Sequence, residues 1–205
     1  IVPTGRPVFA FHVSGRSGAS ILGPLQAAGM LPAAIHPAMT FTGDPQGEVQ
    51  RMTDARFAVT GSSPAAEEKA RQVVGLLGGV AVAIAEDRRP LYHAALCHAS
   101  NHLVTLLAGA SHALQNAGVD DPAALIAPLV RAALENSLER GFAALSGPLL
   151  RGDDETVAGH LEALAAGYPS LLPAYRAMAL ATLDELGRKE PSELRRALDS
   201  GGAVP

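Results

Sequence analysis

The chain has 205 residues, enough for one large domain or two small ones with a buried core. Hydrophobic residues make up 48% and charged residues 18%, which excludes wholesale disorder, and a net charge of −4 with scattered Lys and Arg leaves no basic stripe for nucleic acid. No apolar run reaches membrane-spanning length, and Cys97 is the sole cysteine, so no internal disulfide can form and a cytoplasmic location is expected.

The sequence opens without an initiator Met and runs straight into an apolar pattern, so a segment upstream is expected. Residues 8–13, VFAFHV, read as a buried strand, and SGRSG follows as a Gly-rich turn. ASILGPLQAAG has the look of a short helix that Pro24 weakens. LPAAIHPAMTF is a second extended segment, broken at His36–Pro37, and RFAVTG is a further strand. SSPAAEEKARQVVGLLGG is a helix with a Ser62 or Ser63 cap, early Pro64, first-turn acids and a Gly78–Gly79 stop. VAVAIA closes this half as a strand.

From Arg88 onward the strand signal disappears, and helices are expected over 89–117, 121–145, 153–167 and 169–187, with Asp121, Asp153 and Ser170 as caps or first-turn residues. The GGAVP tail is expected to be loose. The boundaries are therefore 1–87 for a β/α part and 88–205 for an all-helical part.

RPLYHAALCHASNHLVTLLAG holds His93, His98 and His102. HxxxH spacing on a helix suits a metal, but a site needs a third ligand, and Ala99 stands where HExxH requires its acid. By helical rotation His98 and His102 lie about 140° and 180° from His93, so the three cannot share one site; no metal is assigned. Ser100, Cys97 and Asn101 fall about 20°, 40° and 80° from His93, a polar edge that suits either catalysis or hydrogen bonding to neighbouring helices. The turn HVSGRSG fits a phosphate-binding loop or a turn that needs glycine, and matches neither GxGxxG nor GxxxxGK[ST]. Farther on, Asp153 and Thr156 suit a helix cap, and Arg151 either grips a carboxylate or sits exposed.

HVSGRSG, IHPAMTFTG, RPLYHAALCHASNHLVTLLA and ALSGPLLRGDDETVAGHLEAL, in that order, resemble the Rossmann-like oxidoreductases whose C-terminal helical half is catalogued as a domain of unknown function. That family sits in the 6-phosphogluconate dehydrogenase-like superfamily, beside pyrroline-5-carboxylate reductase, prephenate dehydrogenase and ketopantoate reductase. The resemblance reaches to about residue 185. It implies a partial Rossmann half followed by an all-helical domain that binds substrate and pairs two subunits. It also implies NADP as cofactor, although the strand–GxGxxG–helix unit that holds the dinucleotide is not in this chain, so no cofactor-binding residue is assigned.

Superfamily relatives often place a Lys with an Asn four residues on along the first long helix after the nucleotide domain. Asn101 matches the Asn, while Cys97 stands at the Lys; only Lys69 and Lys189 exist in the chain. The resemblance makes His93 the proton donor, with Ser100 and Asn101 completing the catalytic set. Ser14, Gly15 and His36 are expected to line the substrate cleft and Arg151 to anchor a carboxylate. His102 is expected to pack against a neighbouring helix or a second subunit. The implied reaction is NADPH-dependent reduction of a small oxo acid, ketopantoate in pantothenate biosynthesis being the specific expectation. Imine reduction or another superfamily dehydrogenation is the nearest rival, and a non-catalytic dimerisation module the more distant one.

Overall fold

A computed structural model describes residues 7–199. The opening residues 1–6 and the last residues 200–205, which include the GGAVP tail, lie outside the described residues. Four strands form one sheet in sequence order: β1 (Phe9–His12), β2 (Leu31–Pro37), β3 (Arg56–Gly61) and β4 (Val80–Ala83). The outer pairs β1–β2 and β3–β4 are parallel and the central pair β2–β3 is antiparallel.

Side chains on a strand alternate between faces, so Ala33 and Ile35 of β2 join Phe57 and Val59 of β3 on one side. Helix α3 (Pro64–Leu76) covers that side with Ala70 and Val74, four residues apart on one stripe. The same alternation sends His36 to the opposite face, where its neighbour across the ladder is the small Ala58. Ser63 caps α3, its side chain accepting from Ala66 N–H, and Gly78 takes a left-handed conformation just beyond the end.

Two short helices show how proline placement decides its effect. A 3-10 turn (Ala19–Leu22) leads into α1 (Gly23–Ala27), with Pro24 in the first turn, where its missing N–H leaves no hydrogen bond unmade. Pro24 thus starts this helix and does not weaken it, contrary to expectation. Helix α2 (Pro45–Met52) falls in a stretch for which no element is expected; its start is Asp44 accepting from Gly47 N–H, with Pro45 in the first turn.

After β4 the described elements are helices and no strand follows: α4 (Arg89–Asn116), α5 (Pro122–Arg140), α6 (Pro148–Arg151), α7 (Asp154–Gly167), α8 (Leu172–Glu185) and α9 (Glu193–Asp199). The helix expected over 121–145 stops earlier because Gly141 turns to positive φ and a 3-10 turn follows. Asp121 and Asp153 are caps, as expected; Asp153 accepts from Thr156 N–H at 3.1 Å and from Thr156 Oγ1 at 2.8 Å. Ser170 is not a cap: it lies inside a 3-10 turn that precedes α8.

The chain divides into two compact units, Ile1–Leu103 and Val104–Pro205, and the division falls within α4. The core of the second unit comes from α7, α8 and α9, through Val157, Leu161, Ala179, Leu183, Leu194 and Leu198. Among the described residues no helix is long and apolar enough to cross a membrane. The fold class is α/β, a partial Rossmann-like sheet followed by an all-helical region.

Candidate active site

The N-terminal turns of α4 present one polar face of the first unit. His93, Cys97, Ser100 and Asn101 all line a single cavity of about 600 Å³. Steps of three, four and seven or eight residues keep these side chains on one side of the helix. β2 and its continuation contribute His36 and Thr40, and α2 contributes Arg51. Four of the candidates named from the sequence, His36, His93, Ser100 and Asn101, therefore meet in one place.

Gly15 belongs to the same cluster by steric necessity. A Cβ on it would lie 2.4 Å from His93 Cδ2 and 2.8 Å from His36 Nε2, so no other residue fits without moving both rings. The two imidazoles stand nearly perpendicular, with centroids 6.0 Å apart.

His36 is the more firmly oriented of the pair. Its Nδ1 lies 2.9 Å from Tyr92 Oη, and the two rings meet edge-on. Burial pushes the Tyr92 phenol above its ordinary value, with Arg89 opposing, so the hydroxyl keeps its proton and can donate it. Burial, then Arg89, then His93 hold His36 below the usual imidazole range, so it is neutral at pH 7. A neutral imidazole accepting at Nδ1 carries its proton on Nε2, the nitrogen that faces Gly15. His93 has a softer neighbour: both its ring nitrogens lie 3.9 Å from Cys97 Sγ.

Arg89 is the anomaly of the cluster. It is 0% exposed, its Nε, Nη1 and Nη2 have no hydrogen-bond partner, and its guanidinium lies 6.0 Å from the centre of the Tyr92 ring. Burial presses its pKa down while Tyr92 and Glu86 oppose. A dry cation of this kind destabilises the fold by itself and raises the field at Tyr92 and His36.

Ser100 is committed elsewhere in part. Its Oγ is 2.8 Å from both the Leu96 carbonyl and Asn101 Oδ1, and one hydroxyl proton can serve only one of them. With the proton on the Leu96 carbonyl, Ser100 supports Asn101 when the amide is turned to donate.

The turn after β1 closes on itself. His12 Nε2 lies 2.8 Å from the Gly18 carbonyl and donates to it, which leaves Nδ1 to accept Ser14 N–H at 3.1 Å. Ser14 Oγ in turn accepts Ser17 N–H. Glu86 closes the far side of the turn: its carboxylate accepts from Ser20 N–H and Ser20 Oγ–H, and a Cβ on Gly18 would lie 2.2 Å from it. An acid at the start of that 3-10 turn repels a second anion, so this turn does not fit the phosphates of a dinucleotide.

His98 and His102 stand apart from this cluster. Their Nδ1 atoms lie 2.9 Å apart on an exposed stretch of α4, so one of the two carries a proton, and His102 is exposed instead of packed on a neighbouring helix. Among the described residues no group of three or more His, Cys, Asp or Glu could hold a metal. Arg151 ends α6 in the second unit, where it is exposed.

Three participants escape the sequence patterns: Tyr92, Arg89 and Arg51. The first two lie in the quoted motif: Arg89, about 40° from His93, falls on the polar edge, and Tyr92, about 100° away, falls off it. Arg51 goes unseen with its helix, although Asp44–Pro45 followed by Glu48 is a helix-start pattern.

A family model described as a domain of unknown function, DUF2520, matches residues 55–182. Among solved structures, protein TM1727 from Thermotoga maritima superposes with a TM-score of 0.72 at 22% identity, over 88% of this chain and 70% of that one. The putative NADP oxidoreductase BF3122 from Bacteroides fragilis gives 0.69 at 18%, over 85% of this chain and 64% of its own length. At these identities the likeness is one of fold. No curated protein matches the sequence significantly. By its match over more than half its length, the chain belongs to the DUF2520 family.

Proposed function

We propose that the protein is a cytoplasmic NADPH-dependent reductase of a small oxo acid, ketopantoate in pantothenate biosynthesis being the specific substrate. The observation that carries this reading is the convergence of His36, His93, Ser100 and Asn101 on one cavity, around a glycine that leaves room for nothing larger. The name of the Bacteroides fragilis protein, which shares the fold, supports the reaction class.

Carbonyl reduction adds a hydride to carbon and a proton to oxygen, and these residues suit the second half. In this reading His93 gives the proton, while His36 Nε2–H and Asn101 hydrogen-bond the carbonyl oxygen as charge develops there. Ser100 orients Asn101, and Ser14 and Gly15 form the wall beside the rings. The hydride would come from a nicotinamide dinucleotide; the turn after β1 does not hold its phosphates, and the residues named here act at the carbonyl.

The helical half pairs with a second copy. Leu138, Leu129 and Val104 are 79%, 71% and 69% exposed, more large apolar surface than an isolated helical unit tolerates. Size-exclusion light scattering is expected to return a dimer mass, and a monomer would remove this part of the reading.

The deciding experiment is NADPH oxidation in the presence of ketopantoate, with this chain joined to the strand–GxGxxG–helix unit that holds the dinucleotide in the oxidoreductases it resembles. Turnover is the expected result. Binding of NADPH without turnover would redirect the assignment to other oxo acids or imines, and failure to bind it would favour a non-catalytic dimerisation module.

A further inference from the structure

The cavity has a one-sided charge. The chain carries 20 acidic against 16 basic residues, yet no Asp or Glu is among the residues lining the cavity. Its single full cation is Arg51, in the last turn of α2.

Arg51 is left without an ionic partner by the way α2 is built. Both acids near it in sequence are turned toward backbone amides. Asp44 accepts Gly47 N–H as the helix cap, and Glu48, buried, accepts Thr42 N–H and Gly43 N–H. Among the described residues Arg51 makes no salt bridge, although its helix carries an acid three positions before it. Gly47 leaves room for both side chains: a Cβ there would lie 2.2 Å from Asp44 Oδ2 and 3.1 Å from Arg51 Nη1, so the cap's second oxygen is near the guanidinium without forming a salt bridge to it. A planar cation facing a cavity lined by hydroxyl and amide groups and by no carboxylate selects anions, and a guanidinium grips a carboxylate through two parallel hydrogen bonds.

We infer that Arg51, and not Arg151, is the carboxylate anchor of this cavity, and that its ligands are short carbonyl compounds carrying one carboxylate. The carboxylate lies on Arg51 and the carbonyl lies toward the His36–His93 rings. This rests on the proposed function for the reaction, but the binding itself does not require turnover. Both arginines are exposed, and Arg51 is chosen because it lines the cavity of the first unit.

The test is ligand-observed NMR titration of the full chain with pyruvate and with its neutral counterpart pyruvamide, without nucleotide. Pyruvate should bind about tenfold tighter, the size of one charge-assisted contact. Arg51→Ala should remove that preference and leave pyruvamide binding unchanged; Arg51→Lys should keep part of it, and Arg151→Ala all of it. The rings report independently: His36 side-chain resonances should shift with either ligand in every variant. Equal binding of acid and amide, no binding of either, or loss of the preference in Arg151→Ala would each overturn the assignment. Selective binding without reduction of any oxo acid would leave Arg51 in place and remove the reductase reading.

Discussion

Two histidine pairs on the first unit make an instructive comparison. His36 and His93 meet across Gly15, with Tyr92 holding one ring and a buried cation behind it. His98 and His102, beginning five residues farther along α4, touch each other and face outward. The residue types are the same, and the closer pair by sequence spacing is the one with the metal-like pattern. Position around the helix, not spacing along it, decides which imidazole of α4 meets His36 at the cavity.

The sharpest way to break the comparison is Gly15→Ala. The new methyl would overlap both rings of the first pair, so turnover should vanish and the melting temperature fall by an amount consistent with about 1–3 kcal/mol of overpacking. A variant as active and as stable as the parent would mean the rings do not meet there. Next comes His93→Ala, which should lower kcat by about a hundredfold or more, as loss of a positioned acid does, while His98→Ala leaves it unchanged. Equal effects in steady-state kinetics would dissolve the distinction between the pairs.

A smaller effect belongs to acid titration. The folded state resists protonating His36 while the unfolded chain takes up a proton near about pH 6.5, so stability should fall as pH drops through that value. The loss levels off once the folded-state value is passed. His36→Asn should flatten this part of a urea-denaturation series between pH 7 and 5, and an unaltered slope would count against a neutral, buried His36. Smallest of all, EDTA should leave melting and turnover unchanged; a clear drop in either would point back to His98 and His102 as ligands.

Much of the fold is legible in the residues themselves. The four strands, the capped α3 and the start of the helical half follow from apolar runs and from proline and serine signals, although the stretch 8–13, expected to be buried, is half-exposed, and His93 lines the cavity while His98 does not. What rotation does not carry is depth. Arg89 and Tyr92 sit four and one residues before His93, on the side where the helix is covered, and only packing reveals that a charged residue lies there dry. Arg51 is hidden differently: Gly47 inside α2 lowers helix propensity, and the cap at Asp44 outweighs it. Ser170 shows the converse, a capping residue type in a place where the backbone has already begun to turn.

The sealed guanidinium of Arg89 also sets an evolutionary constraint. Dehydrating a charge that has no hydrogen-bond partner lowers the melting temperature of the whole fold, and after burial itself the same charge is what holds a neighbouring imidazole's proton affinity down. Durability and activity therefore pull in opposite directions at one codon. A library selected only for thermal survival should enrich Arg89→Met or Arg89→Leu and yield hardier proteins whose pH profile is displaced upward, whereas selection for turnover should return arginine.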